Sequence, residues 1–141
     1  VALRAGWTLE NAENDEPDED FGRTRIYRTP RNYGYVDGLL KFKGLQLQTG
    51  VDITGPMLVP HYDAEGDPLR LETSPWFFAW NANVGFATFA MESVVIEPFV
   101  GARNILDSRQ RDFDRGAARD AGYIYGPTQP RTLFAGVRGT L

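Results

Sequence analysis

The sequence predicts an all-β fold of six antiparallel strands. Apolar and polar residues alternate with a period of two in six separate stretches, the pattern of strands with two unlike faces. No stretch carries a convincing apolar stripe at 3.6-residue spacing, so essentially no helix is expected. The connections between the stretches alternate between short and long. At 141 residues, the chain has the length of one ordinary domain and is read as a single unit over 1–141.

The first strand sets Val1, Leu3, Ala5, Trp7 and Leu9 on one face against Ala2, Arg4, Gly6, Thr8 and Glu10 on the other. The second, Tyr33 to Phe42, is less regular, with Val36, Leu40 and Phe42 on the apolar side. In the third, Leu45, Leu47, Val51 and Ile53 alternate with Gln46, Gln48, Gly50, Asp52 and Thr54. The fourth opposes Trp76, Phe78, Trp80, Ala82, Val84 and Phe86 to Ala79, Asn81, Asn83 and Gly85. The fifth places Val94, Ile96, Val100 and Ala102 opposite Glu97, Gly101 and Arg103. The last places Leu133, Ala135, Val137 and Leu141 opposite Phe134, Gly136, Arg138 and Thr140. Lys43-Gly44 reads as a tight turn and Ala90 to Ser93 as another. Three connections are long: Asn11 to Arg31, Met57 to Pro75 and Asp107 to Pro130.

Composition removes several function classes. With no cysteine, disulfide frameworks and thiolate metal sites are excluded. His61 is the single histidine, so a histidine-based metal cluster is excluded too. A formal charge of −4 gives no electrostatic case for nucleic acid. No stretch approaches the ~20 apolar residues of a spanning helix. Barrel strands alternate, however, so an average of 42% hydrophobic residues does not exclude a membrane β-barrel. The chain opens without an initiator methionine or leader pattern. The expectation is that a preceding part lies elsewhere.

Alternation alone fits both a soluble sandwich and a barrel wall. In a sandwich the apolar face is a core; in a transmembrane barrel it meets lipid and the polar face lines the lumen. Large aromatics near strand ends (Trp7, Trp76, Trp80, Phe42) suit interfacial girdles. Strands of about 10 residues, tilted ~45°, span roughly 23 Å, close to the apolar band of such barrels. Short turns at one end and long polar loops at the other are also the habit of outer-membrane barrels.

The C-terminal third carries a family resemblance. Gly101-Ala102-Arg103-Asn104-Ile105-Leu106-Asp107 resembles the G-x-x-N-[LI]-[FL]-[DN] penultimate strand of TonB-dependent outer-membrane receptors. The segments Asp112-Phe113-Asp114-Arg115-Gly116 and Arg119-Asp120-Ala121-Gly122-Tyr123-Ile124-Tyr125-Gly126-Pro127 resemble that family's last extracellular loop. Pro130-Arg131-Thr132 resembles the opening of its final strand. Upstream, Arg28-Thr29-Pro30 with Tyr33-Gly34-Tyr35, and Thr54 to Tyr62, are similar to its late-barrel strands and loops. Gly136 and Leu141 match the family's terminal assembly signal, whereas Gly139 stands where an apolar side chain is usual.

The resemblance implies six antiparallel transmembrane strands, the C-terminal part of an outer-membrane barrel of about 22 strands. It places the short turns in the periplasm and the three long loops outside a Gram-negative bacterium. It implies a role in active import of a scarce ligand, such as an iron siderophore or cobalamin, with no enzymatic activity. The implied partners are the remaining strands and plug of the receptor, TonB acting through that plug, outer-membrane lipid and the small-molecule ligand. Six strands do not close a barrel, so other polypeptide is expected to complete it. The alternatives are a small self-associating outer-membrane pore and a soluble β-sandwich binding module.

No catalytic residue, metal site or cofactor is assigned. Glu13, Asp15, Glu16, Asp18, Glu19 and Asp20 form an acidic run whose spacing does not match a calcium loop. It reads as a solvated loop, partly neutralised by Arg23, Arg25, Arg28 and Arg31. His61 reads as a loop histidine without a nucleophile beside it. The arginines Arg103, Arg109, Arg111, Arg115 and Arg119 read first as partners of neighbouring aspartates. Tyr62, Trp76, Tyr123 and Tyr125 read first as packing aromatics. As ligand contacts, the candidates are Tyr62, Trp76, Arg111, Arg115, Tyr123 and Tyr125.

Overall fold

The computed structural model describes residues 1–86, 89–91 and 94–140. Nine strands occur among them: β1 (Ala2–Leu9), β2 (Asn32–Phe42), β3 (Leu45–Thr54), β4 (Leu58–Tyr62), β5 (Pro68–Thr73), β6 (Phe77–Phe86), β7 (Phe89–Met91), β8 (Val94–Arg103) and β9 (Thr132–Thr140). The six predicted strands correspond to β1, β2, β3, β6, β8 and β9. They form one antiparallel sheet in chain order, with β7 pairing to β8 along the same line as β6. No helix of the described residues is long and apolar enough to cross a membrane. Neither β1 nor β9 has a partner on its outer edge, so the sheet of the described residues is open.

Register explains how the faces form. Trp7 pairs with Gly34, Gly34 with Ile53, and Ile53 with Phe78. Val84 pairs with Val100, and Val100 with Ala135. Directly opposed residues share a face, so the apolar positions of all six strands fall on one side. That face carries no charged residue from Leu3 to Val137. Thr49, one of its few polar residues, accepts the Trp80 Nε1–H at 2.8 Å and donates to the Asn81 carbonyl at 3.2 Å. Nothing among the described residues covers the face: Leu3 is 74% and Val137 69% exposed.

The opposite face is polar and concave. Asp37, Asp52, Asn81, Asn83, Arg103 and Arg138 line a hollow of about 380 Å³ on it. Arg4 pairs with Asp37 and Arg138 with Glu97, each at 3.4 Å. Beside the Arg138–Glu97 pair, β8 and β9 carry a ladder of rings and glycines. Phe99 lies over its register partner Gly136 and Phe134 over Gly101, with the two rings edge to face at 6.3 Å. Arg138 and Arg103 cap these rings at 5.6 Å each. The glycines leave the space that each ring fills.

The ends differ as expected in one respect and depart in another. Lys43-Gly44 forms the tight turn, with both residues at positive φ. Of the predicted turn at Ala90 to Ser93, Ala90 and Met91 lie in β7, while Glu92 and Ser93 fall outside the described residues, as does Leu141 of the terminal motif. The connection Met57 to Pro75, which the sequence reads as a loop, contains the β4–β5 hairpin. Asp63 Oδ1 accepts the amides of Glu65 and Asp67, and Gly66 supplies φ +92° in the turn. Leu69 and Leu71 alternate with Arg70 and Glu72 around a Gly-bearing turn, a hairpin signal present in the sequence.

Among the described residues, the buried core lies mainly in the connections, and the sheet adds Phe77 at the loop end of β6. Met57, Val59 and Tyr123 form one cluster, with Tyr125 packed alongside. The sheet thus displays its apolar surface, while the three long connections fold into a lobe with an interior.

A Cβ placed on Gly136 would lie 2.5 Å from the Phe99 ring. Gly136→Ala is therefore expected to destabilise the sheet by about 1–3 kcal/mol through overpacking. Phe99→Ala should remove most of that penalty, and urea midpoints of the four proteins in a double-mutant cycle measure it. Additive effects would show that ring and glycine are not coupled.

Candidate functional site

The lobe at the long-loop end brings together most of the chemically distinctive side chains. Its base is Asn104, at φ +47° just after β8. Its Nδ2 donates to the Ser108 and Gln129 carbonyls at 3.1 and 2.9 Å, and its Oδ1 accepts the Ser108 amide. One side chain thus ties both ends of the 104–131 connection. Asparagine suits the position because it tolerates positive φ and offers both donor and acceptor.

Above this base, Gln110 is buried and crosslinks the loop to itself. Its Nε2 donates to the Tyr123 carbonyl and its Oε1 accepts the Tyr125 amide, both at 3.0 Å. Tyr123 is 1% exposed. Its hydroxyl is placed between two carboxylates, Glu72 Oε2 at 2.9 Å and Asp112 Oδ2 at 3.1 Å. The Tyr125 hydroxyl donates to Asp112 Oδ1 at 2.5 Å. Arg70 pairs with Glu72 on β5.

His61 corrects its sequence reading. It lies in β4, only 6% exposed, with its ring stacked on Tyr123 at 4.3 Å. Its Nε2 meets Asp114 Oδ2 at 3.0 Å, while its buried Nδ1 has no hydrogen-bond partner among the described residues. Asp114 also accepts the Asp120 amide at 2.8 Å, and Asp120 accepts the Tyr62 amide at 3.0 Å. The first connection joins through the Tyr62 hydroxyl, which donates to Asp20 at 2.9 Å, and through Arg28, which donates to the Gly122 carbonyl at 2.8 Å.

The aspartates hold the loops in shape, but mostly not through arginine. Among the described residues, the arginine pairs of the last loop are Arg109 and Arg111 with Asp107, at 3.3 and 3.8 Å. Asp112, Asp114 and Asp120 accept instead from tyrosines, from His61 and from backbone amides. The reason is reach: a loop carboxylate finds a nearby N–H without ordering a long side chain. The acidic run behaves similarly, with Asp18 accepting the Phe21 amide and the Tyr27 hydroxyl. No ion pair joins that run to Arg23, Arg25, Arg28 or Arg31 among the described residues.

Of the six ligand candidates, the structure brings Arg111 and Tyr125 to one cleft of about 380 Å³, shared with Glu72, Arg109, Gln110 and Asp112. Tyr123 is interior and its hydroxyl is already engaged. Trp76 stacks between Trp7 and Phe78, each 6.4 Å away, beside the apolar face. Tyr62 packs edge-on to Phe21 at 5.8 Å. Arg115 is exposed and does not line the cleft. Gln110 and Asn104 were missed as organising residues because nothing local distinguishes a buried amide from a loop amide.

Comparison with protein-family models, curated proteins and solved structures finds no match.

Hydrogen bonding and burial set the electrostatics. The Tyr123 hydrogen bond, with Arg70, holds the Glu72 carboxyl below its ordinary value. The Asp120 amide and His61 do the same for Asp114. Burial pushes Asp112 up, but hydrogen bonds led by Tyr125 outweigh it and leave it lowered. Tyr123 and Tyr125 are raised, first by burial and then by their carboxylate partners. Lowered carboxyls stabilise the lobe above about pH 4, and this is lost as pH falls through their folded values. Raised tyrosines stabilise it below about pH 10, and this is lost as pH rises through theirs. Proteolytic protection of the 104–131 connection is therefore expected to fail at both extremes. Tyr123→Phe should move the acid loss to higher pH; protection that grows below pH 4 would contradict the assignment.

Proposed function

We propose that this chain forms the last six strands and the outer loops of a TonB-dependent receptor barrel in the outer membrane of a Gram-negative bacterium. On this reading its apolar face meets lipid, its concave polar face lines the lumen, and its loop lobe stands outside the cell. The chain supplies wall and ligand-facing surface for import of a scarce small molecule. Energy reaches the transporter through TonB acting on a plug carried by other sequence.

The observation that carries the reading is the uncovered, charge-free apolar face of a six-stranded sheet whose long connections all leave one end. A soluble sandwich needs a second layer on such a face, and the described residues contribute none. Strands of 10 or 11 residues in β2, β3, β6 and β8 match the length a tilted barrel strand needs. Asn104 adds independent support, because the motif residue behind the resemblance also anchors the longest loop. The open edges favour completion by further strands, since unpaired backbone groups are not tolerated in hydrocarbon. For the ligand surface, the cleft holding Arg111 and Tyr125 is the best-supported place.

Native and denaturing mass of the detergent-solubilised particle tests this. The expected result is a large particle that releases this chain together with a longer, different polypeptide. Copies of this chain alone would replace the receptor by a self-associating pore. A monomer that stays soluble without detergent would leave the sandwich module.

A further inference from the structure

The first long connection prolongs the β1–β2 pair beyond the sheet. The Glu10 amide donates to the Arg31 carbonyl at 2.9 Å, the Ile26 amide to the Ala12 carbonyl at 3.1 Å and the Asn14 amide to the Thr24 carbonyl at 2.7 Å. Glu13 and Arg25 face each other in this extension as an antiparallel bridge. The bonds of Ala12 and Asn14 run inward, to the segment that leads into β2. Antiparallel alternation therefore turns the Glu13 N–H and C=O outward, on the side where β1 has no partner among the described residues. The extension continues the open edge of the sheet at its long-loop end.

The side chains of this extension carry unmatched positive charge. Directly opposed residues share a face, yet Arg25 and Glu13 form no ion pair among the described residues. Arg25 Nη2 is buried and has no hydrogen-bond partner among them. Arg31 reaches across to the outer segment, where its Nη2 donates to Asn11 Oδ1 at 3.1 Å. Burial, then the neighbouring Arg31 charge, pushes the Arg25 guanidinium below its ordinary value, with Glu13 opposing. Asp18 and Asp20 are engaged elsewhere, Asp18 by the Phe21 amide and the Tyr27 hydroxyl, Asp20 by the Tyr62 hydroxyl. A buried donor without an acceptor is costly, and two adjacent guanidinium groups repel. One added carboxylate relieves both, and its two oxygens suit the guanidinium fork.

We infer that Arg25 and Arg31 form a socket for one carboxylate, an Asp or Glu carried by the strand that adjoins β1 at its open edge. The inference rests on the reading of this chain as part of a larger barrel and adds the chemistry by which the adjoining strand is recognised. The outward Glu13 backbone groups favour a strand over a free anion, because a strand satisfies them together with the guanidinium groups. The socket also sets register at the join, since a slip of one residue turns the carboxylate to the other face.

The test uses the detergent-solubilised particle, purified whole and carrying Arg25→Lys. The chain's own lysines, Lys41 and Lys43, lie at the short-turn end, so the substituted side chain is its one lysine amine at the long-loop end. Carbodiimide condenses an amine with a carboxylate in contact with it, and the joined peptides are identified by mass after proteolysis. The expected product joins position 25 to an Asp or Glu of the strand adjoining β1. Adding Arg31→Gln should cut its yield about fivefold, the effect of losing one charged partner. Joining to Glu13 alone, or no joining, in a particle that holds the rest of the barrel would overturn the socket and leave the receptor reading standing. A particle holding only copies of this chain would overturn both. Suppression of the product by inorganic phosphate, with chloride at equal ionic strength having no effect, would assign the two arginines to a free anion and overturn the strand assignment. Should Arg25→Lys not fold, Arg31→Lys puts the amine beside Asn11, and the same outcomes decide.

Discussion

Most of the molecule follows from one arrangement of side chains across the sheet: every strand contributes its apolar positions to the same face, and no charge interrupts them. Removing a large apolar side chain from water is worth about 1.5–3 kcal/mol. A face with Leu3, Trp7, Leu40, Phe42, Trp80, Val100, Leu133 and Val137 in partial or full exposure therefore carries a large unspent driving force. Thr49 shows how strictly the face is kept: its hydroxyl bonds the Trp80 indole and a strand carbonyl instead of reaching for solvent. The same constraint bears on the edges. A surface suited to hydrocarbon does not tolerate unpaired strand groups there, so the proposed membrane setting and the need for further strands stand together.

With its apolar residues on one uncovered face, the sheet buries little among the described residues beyond Phe77 at the loop end of β6. Order at the loop end is supplied differently. A small core of Met57, Val59 and Tyr123 is enclosed by carboxylates that accept hydrogen bonds from tyrosines, from His61 and from backbone amides. These bonds are individually modest, about 1.5–3 kcal/mol where one partner is charged. Tyr123 links two carboxylates, and Asp114 links His61 to the Asp120 amide. Asn104 and Gln110 close the long connection in the same manner, each with donor and acceptor both engaged. The lobe thus presents a preformed surface, which for a binding loop reduces the ordering that a ligand must bring about.

The polar face has its own organising device. Phe99 and Phe134 lie across glycines of the neighbouring strand, and Arg138 and Arg103 sit over the rings. Rings on glycines pin the register of β8 and β9, because a one-residue slip would drive each ring into a side chain. The register in turn keeps the apolar face continuous to the last strand, so the two faces depend on each other.

The sequence by itself determined the six main strands, their face assignments and the end from which the long connections leave. These properties are local: alternation with a period of two is written directly in neighbouring residues, and a two-residue turn cannot be confused with a 24-residue connection. The β4–β5 hairpin was legible in Leu69, Leu71 and Gly66, but its five- and six-residue strands lie inside a stretch otherwise rich in turn residues. What only the tertiary structure decided is the lobe. Burial of His61 and Tyr123, the choice of tyrosines over any arginine as partners of Asp112, and the hydrogen bond from the Arg131 amide to Asp107 all depend on contacts between residues far apart in the chain. Loop aspartates have several donors within reach, and which donor wins is set by where the backbone carries them, a quantity no local pattern contains.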